Sequence, residues 1–159
     1  MRAVRHTKAV CLCCFAASAL ACAASALLCR RLLPEGGVSL IKGFLSLARV
    51  TNSGAAFSLL AGAPALVTVL NAAFLCALSA FILKGSMRLC ARAALCAVLA
   101  GGISNFLERI LTGTVTDMIR LDFVRFPVFN FADVCICAGA AVFACAYVCA
   151  PARAPQSEG

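Results

Sequence analysis

Four long apolar runs set the pattern of hydrophobic and polar positions along this chain. They fall at about residues 10–29, 65–83, 89–107 and 130–150. A membrane-spanning helix needs about 20 mainly apolar residues, which is close to the length of each run. Pro64 precedes the second run, where it suits the first turn of a helix, and Arg92 in the third can extend its charge to the lipid headgroups. The pattern predicts four transmembrane helices with both termini on one side of the membrane.

Two segments between these runs predict β structure. Residues 46–51 form a short stretch that ends at a turn signal, and residues 114–126 alternate apolar and polar positions, as a half-exposed strand does. In this alternation Asp117 falls on the same face as the apolar positions, whereas Thr116 and Asp122 fall on the polar face. We therefore expect Asp117 to point toward the protein or the membrane surface, and Asp122 to point toward water.

The composition supports a membrane protein and excludes a soluble domain of this length. Hydrophobic residues make up 64% of the 159 residues and charged residues 13%, against about half and a quarter in soluble domains. The predicted fold class is a mainly α membrane protein, a single domain over residues 1–159. Its four transmembrane helices would carry a small extracytoplasmic β element, which lies within the extracytoplasmic segments at about residues 34–63 and 110–129.

The basic residues determine the expected partners and orientation. Fourteen Lys and Arg against six Asp and Glu give a net charge of +8, but they are scattered, which favours anionic phospholipid headgroups over nucleic acid. Each side of the membrane would carry seven of the fourteen, so their number does not decide the orientation. Their clustering in the N-terminus and at residues 84–92 favours cytoplasmic termini. No predicted span contains a GxxxG motif, so we expect a monomer.

Twelve cysteines raise the question of a metal site. They lie in or beside the apolar runs, no CxxC pair is matched by a second pair, and the single histidine is His6 near the N-terminus. Zinc sites need such clusters. The cysteines are therefore interpreted as small apolar side chains, and neither a metal nor another cofactor is predicted.

The N-terminal segment allows a second interpretation. A basic start, an apolar run and the sequence SALAC resemble a secretory signal that ends in a lipid-modified cysteine at Cys22. Three positions earlier stands Ala19, where such signals usually carry Leu, and three further spans follow. An uncleaved first span is therefore favoured.

Polar residues are expected to converge at one membrane face, beside the predicted strands. They are Asn52, Asn105, Arg109, Asp117, Asn130 and Asp133. Asn105 and Arg109 lie one helical turn apart. Capping of the fourth helix would explain Asn130 and Asp133, but it would not explain the others. Ionisable groups at the edge of a span are costly, so this set predicts a site for acid–base chemistry.

Four motifs follow one another along the chain. They are TNSGAAF at 51–57, GGISNFLER at 101–109, GTVTDM at 113–118 and FNFAD at 129–133. In order and spacing they resemble the motifs of the bacterial lipoprotein signal peptidase family, signal peptidase II. The resemblance implies an aspartic endopeptidase of the bacterial inner membrane that cleaves prolipoproteins before a diacylglyceryl-modified cysteine.

The resemblance also implies the roles of individual residues. Asp117 and Asp133 would form the catalytic pair, at the extracytoplasmic face. The residues implied to surround the pair or to bind substrate are Asn52, Gly54, Asn105, Glu108, Arg109, Asn130 and Ala132. The implied partners are lipid-modified prolipoproteins and membrane phospholipids.

Two positions depart from the family pattern. Glu108 stands where the family has Asp, and the end of the first span carries no acid before Glu35, where the family usually has Asp-Gln. We expect Glu108 to pair with Arg109 or with a backbone donor rather than to transfer protons. A small proton-coupled carrier and a non-enzymatic scaffold are the alternatives. The first usually needs internal repeats, which this sequence does not show, and the second needs no alignment of Asn, Arg and Asp.

Overall fold

The computed structural model describes residues 2–54 and 62–148, with side chains from Thr7 onward. Its elements are α1 (Arg2–Leu32), β1 (Val38–Ile41), β2 (Leu45–Asn52), α2 (Pro64–Lys84), α3 (Leu89–Thr112), β3 (Val115–Leu121) and α4 (Phe131–Val148). Residues 149–150 of the fourth predicted span and residues 55–57 of the first motif lie outside the described residues. Within those residues the predicted fold class is confirmed, with four helices long and apolar enough to span a membrane and a small antiparallel sheet.

Helix α3 occupies the centre of the helix bundle. In its most apolar stretch 50% of the residues are buried, against 22% in α2 and 11% in both α1 and α4. The other helices pack around it, and Leu78, Leu95 and Val98 belong to the core between them. Large apolar side chains on the outer faces, such as Leu12 and Leu83, are exposed. Helices that are apolar on every face in this way are typical of membrane spans.

Two glycines bring the backbones of α3 and α4 into contact. A Cβ atom on Gly101 would lie 2.5 Å from the carbonyl oxygen of Ala132, and one on Gly139 would lie 2.6 Å from the carbonyl oxygen of Ala94. Small residues allow this close approach of membrane helices. Ala132, predicted as a site residue, is thus fixed against α3 through its backbone.

The three strands form an antiparallel sheet in the order β1-β2-β3. Val50 lies opposite Asp117, and Asn52 lies opposite Val115. Asn52 is therefore a diagonal neighbour of Asp117 on the adjacent strand, within reach of a side-chain contact. The pairing of β2 with β3 shifts register between Leu47 and Val50, which is the irregularity of a β-bulge.

The sheet differs from the sequence prediction in three respects. Strand β1 was not predicted, β3 ends at Leu121 rather than near residue 126, and Thr116 is buried rather than on a polar outer face. β1 is exposed along its whole length, so it has no alternation of buried and exposed positions. Thr116 is buried because Arg30 and Glu108 bond to it from the helices.

The sheet lies at the end of the bundle where α1 and α3 finish and α4 begins. Gly113 ends α3 in the left-handed conformation, at φ 78°, and its N–H donates to the carbonyl of Arg109. Glycine adopts this conformation without steric cost. α3 extends beyond the predicted membrane span, which ends at residue 107, to Thr112. Asn105 and Arg109 therefore lie on the same helix, as expected, and Glu108 reaches the start of β3.

Candidate active site

Two aspartates lie at the junction between the sheet and the helix ends. Asp117 lies in β3 and is only 3% exposed, and Asp133 lies in the first turn of α4. Four of the predicted polar residues bond to this pair or to its partners. They are Asn52, Asn105, Arg109 and Asn130.

Both carboxyl oxygens of Asp117 accept a hydrogen bond from an asparagine amide. Asn52 Nδ2 donates to Oδ2 and Asn130 Nδ2 donates to Oδ1, each over 2.9 Å. The N–H of Gly54 donates in turn to Asn52 Oδ1 over 2.9 Å. This second bond fixes which end of the Asn52 amide faces Asp117, because rotating the amide would lose both bonds.

Asp133 has a similar two-sided arrangement. Asn105 Nδ2 donates to its Oδ1 over 2.9 Å, and the backbone N–H of Asn130 donates to its Oδ2 over 3.1 Å. The N–H of Asp133 donates to Asn130 Oδ1 over 3.0 Å. These reciprocal bonds form a capping box, so the predicted capping role of Asn130 and Asp133 is present.

Asn130 also connects the two carboxyl groups. Besides its bond to Asp117, its Nδ2 donates to Asn105 Oδ1 over 3.1 Å, so both amide hydrogens are used. Capping alone therefore does not account for this side chain. The buried network pairs each of the amide and carboxyl oxygens and amide nitrogens described, which matters because an unpaired buried polar group costs about 1–3 kcal/mol.

Arg109 supplies a positive charge beside the network. Its Nη2 donates to the carbonyl of Gly54 over 2.9 Å, and its Nη1 donates to the carbonyl of Asn105 over 3.5 Å. It thereby ties the turn after β2 to α3, and this turn carries the N–H that orients Asn52. Both aspartates also attract the guanidinium, so Arg109 offsets part of the repulsion between two carboxylates.

The Glu108 carboxylate bonds to partners outside this network, although Glu108 is next to Arg109 in sequence. Its Oε1 accepts the backbone N–H of Thr116 over 2.9 Å and forms an ion pair with Arg30. The prediction that Glu108 pairs with Arg109 or with a backbone donor is confirmed by the backbone donor. Sequence reasoning did not assign Arg30 to the site; its signal was the basic pair at residues 30–31, at the end of the first span.

Burial raises the pKa of Asp117 above its ordinary value. The negative charge of Asp133 acts in the same direction. The amides of Asn52 and Asn130 and the charge of Arg109 oppose it by stabilising the ionised form. The net result is a carboxyl group that keeps its proton to a higher pH than an exposed aspartate does.

Asp122 belongs to a different set of contacts. It is exposed, as the alternation predicted, and accepts hydrogen bonds from Ser46 Oγ and Arg120 Nε. These two bonds hold the pKa of Asp122 below its ordinary value. Asp122 therefore carries the same functional group as Asp117 in a contrasting environment.

Three of the described cysteines, Cys22, Cys29 and Cys96, are buried among the helices. The eleven that the structure describes are free thiols, and Cys149 lies outside the described residues. Cys22 is buried in α1, with its Sγ 3.9 Å from Cys135 Sγ of α4. Within residues 2–54 and 62–148, no three His, Cys, Asp or Glu residues are grouped as metal ligands would be.

Comparison of the sequence with known proteins points to one family. The family model described as Signal peptidase (SPase) II matches residues 12–149. The lipoprotein signal peptidase of Lactiplantibacillus plantarum is 34% identical over 101 residues, covering 64% of this chain and 68% of that protein. The lipoprotein signal peptidase of Enterococcus faecalis is 39% identical over 94 residues, covering 58% of each chain.

Comparison of the structure gives a matching fold. A bacterial membrane enzyme determined by the in meso method at 2.3 Å resolution has a TM-score of 0.83 and 24% identity, covering 94% of this chain and 93% of that one. A second, at 1.9 Å, has a TM-score of 0.78 and 25% identity, covering 89% and 94%. The resemblance carried by the four motifs is confirmed. This multi-pass membrane protein belongs to the signal peptidase II family, whose members are proteases that cleave signal peptides from prolipoproteins.

Proposed function

We propose that this chain is an aspartic endopeptidase that cuts bacterial prolipoproteins just before their diacylglyceryl-modified cysteine. The observation that carries the proposal is the pair Asp117 and Asp133, connected through Asn130 at the junction of sheet and helix ends. Two carboxyl groups in different surroundings can divide the roles of acid and base between them. Membership of the signal peptidase II family supports the same reaction.

The two carboxyl groups take opposite protonation states in this reaction. Asp133, at the N-terminus of α4, is stabilised as a carboxylate by the helix dipole and its N–H donors, and it deprotonates the attacking water. Asp117, with its raised pKa, keeps its proton and donates a hydrogen bond to the developing oxyanion. A carboxyl oxygen that accepts one N–H keeps a second lone pair. The asparagines therefore leave one site on each carboxyl oxygen for the water or the proton. As the peptide bond breaks, the proton taken from water passes from Asp133 to the leaving nitrogen, and no covalent intermediate forms.

The location of the network suggests how the substrate binds. Because the pair lies where α1 and α3 end, the lipid of the precursor can lie among the helices while the scissile bond stays beside the sheet. The chain would lie in the bacterial inner membrane as a monomer, in contact with phospholipids. Both termini would be cytoplasmic and the carboxyl pair extracytoplasmic, an orientation supported by the basic cluster at residues 84–92.

A cleavage assay tests this function. Purified protein in detergent is incubated with a prolipoprotein that carries the diacylglyceryl group and with the same precursor unmodified. We expect a single cut before the modified cysteine and no cut in the unmodified precursor. A carrier or a scaffold would cut neither, and equal cutting of both would contradict the lipid requirement.

The pH dependence of cleavage should report the carboxyl pair. Toward low pH the rate should fall as the pair gains a second proton, and toward high pH it should fall as Asp117 loses the proton that it donates. Because burial raises the pKa of Asp117, the alkaline limb should lie above the ordinary aspartate pKa of about 3.9. The plot of rate against pH should therefore be a broad bell whose two limbs report the coupled pair. The measurement is kcat/KM across about pH 4 to 10, with the fold checked at each point. A rate that kept rising through the alkaline range would contradict these roles.

The backbone contact of Gly101 predicts unequal effects at two neighbouring positions. In Gly101→Ala the new methyl group meets the Ala132 carbonyl, so α4 must move and Asp133 moves with it. In Gly102→Ala it meets Leu75 Cδ2, at 2.7 Å, which is the end of a flexible side chain. We expect Gly101→Ala to lower kcat/KM about tenfold and Gly102→Ala to change it less than about twofold, since small misplacements of reacting groups are costly. Equal activity of the two folded variants would show that this contact does not position Asp133.

A further inference from the structure

A second polar cluster, formed by Arg30, Glu108 and Thr116, lies beside the carboxyl network. Arg30, near the end of α1, forms an ion pair with Glu108 through Nη2 and donates from Nε to Thr116 Oγ1 over 3.2 Å. The Glu108 oxygen in that ion pair also accepts the Thr116 N–H over 2.9 Å. This Arg30 cluster therefore joins α1, α3 and β3.

The Arg30 cluster holds the residue directly before Asp117. Thr116 is buried, and both its N–H and its hydroxyl are bonded to the cluster. On the other side, β2 pairs with β3 irregularly between the pairs Leu47–Ile119 and Val50–Asp117. A bulge leaves a strand less constrained by its ladder. Thr116 itself pairs regularly with Thr51, so the bonds from the helices hold β3 just before Asp117, whereas the irregularity lies just after it.

We propose that Arg30 is a positioning residue for cleavage. Held by Glu108, it fixes Thr116 and thereby sets where the Asp117 carboxyl group stands relative to Asp133. This role rests on the proposed function. The positioning role goes beyond the proposed function because neither the four motifs nor the carboxyl network includes Arg30.

The geometry of the cluster requires an arginine. A guanidinium presents its donors in fixed directions, here Nη2 to Glu108 and Nε to Thr116, whereas a lysine ammonium is a compact charge on a flexible stem. The side chain of Arg30 is 38% exposed, and an ion pair that is partly open to solvent adds little stability. The expected effect of changing Arg30 is therefore on the reaction rather than on folding.

The first test compares two adjacent arginines in the same helical turn. Arg30→Lys keeps the charge and loses the fixed pair of donors. Arg31→Lys is the matched control, since Arg31 is exposed and shows no hydrogen bond or ion pair to the described part of the chain. With the lipid-modified precursor in detergent, we expect Arg30→Lys to lower kcat about tenfold with KM and Tm nearly unchanged, and Arg31→Lys to alter neither constant by more than about twofold.

A second variant tests whether Arg30 acts through Thr116. Thr116→Val removes the hydroxyl acceptor and keeps the shape of the side chain and the N–H that bonds to Glu108. We expect it to lower kcat about as much as Arg30→Lys does, and we expect the double variant to be no more than about twofold worse than either single variant. If Arg30→Lys does not fold, Thr116→Val alone carries the test, and an unchanged kcat in that variant overturns the proposal.

The remaining outcomes separate this inference from the proposed function. A parent protein that cuts neither precursor refutes the proposed function, and the positioning role with it. A parent that cuts the lipid-modified precursor, together with an Arg30→Lys variant of unchanged kcat, refutes the positioning role alone. A loss of kcat in Arg30→Lys that only accompanies a loss of Tm also refutes the positioning role, because Arg30 would then act through general stability. So does a double variant in which the losses of kcat from Arg30→Lys and Thr116→Val multiply, because the two residues would then act by separate routes.

Discussion

Asp117→Asn and Asp133→Asn should each lower kcat/KM for a lipid-modified precursor by about 100-fold or more, because neither amide can exchange a proton with water or substrate. Both variants should still insert into the membrane, since the four apolar helices are unchanged. The measurement is cleavage by purified protein under conditions where the parent turns over fully. Substantial turnover by either variant would remove that aspartate from the proposed mechanism.

These substitutions also have a structural cost that a control must separate from chemistry. Each oxygen of Asp117 and Asp133 accepts an N–H, so the amide turns one acceptor into a donor that faces another donor. A mismatch of this kind costs about 1–3 kcal/mol, which should lower Tm. Asp122→Asn makes the same chemical change at the end of β3, outside the network, and should retain full activity. An equal loss in Asp122→Asn would mean that the assay reports damage to the sheet.

Asn130→Ser should separate helix capping from support of the carboxyl pair. Serine is as good an N-cap residue as asparagine, but its hydroxyl is too short to replace the amide that reaches both Asp117 and Asn105. We expect Tm to fall by a few degrees and kcat/KM to fall about 100-fold, because Asp117 loses one of its two donors and the link to Asp133 is broken. Both quantities are measured on the same preparation.

The opposite pattern is equally informative. If Asn130→Ser kept nearly full activity, capping would be the whole role of this residue, and the connection between the carboxyl groups would not matter for the reaction. Asn130→Ala is the companion variant, because it removes the cap and the amide together and should cost about 1 kcal/mol more in stability than serine does. The difference between the two variants isolates the cap.

The helices and the strands β2 and β3 were predictable because each leaves a local pattern in the sequence. Uncharged runs mark the spans, and alternation with a turn signal marks β2 and β3. The uncharged run does not show where α3 ends, because that end depends on the left-handed Gly113 rather than on hydrophobicity. β1 left no such pattern, since all of its positions are exposed.

The membership of the carboxyl network could be predicted from residue types and motifs, but its contacts could not. Asn130 was assigned as a cap from its position before α4, and its bond to Asp117 depends on how the chain returns from β3, where Phe129 pairs with Ile119. The Arg30 cluster joins residues 78 and 86 positions apart. No local spacing encodes contacts at that range, and a basic residue at the end of a span more often faces lipid headgroups.

The close approach at Gly101 has a mechanical consequence for an enzyme that works in bilayers of varying thickness. Asn105 lies one helical turn beyond Gly101, and Asp133 directly follows Ala132, so the bond between Asn105 and Asp133 lies next to a contact between two backbones. No flexible side chain lies between the two backbones at this contact, so α3 and α4 cannot slide past each other by a side-chain movement alone. When thicker or thinner lipid changes the tilt of the spans, α3 and α4 should tilt as one rigid unit. The distance between the catalytic groups on these two helices would then not change with the thickness of the surrounding membrane.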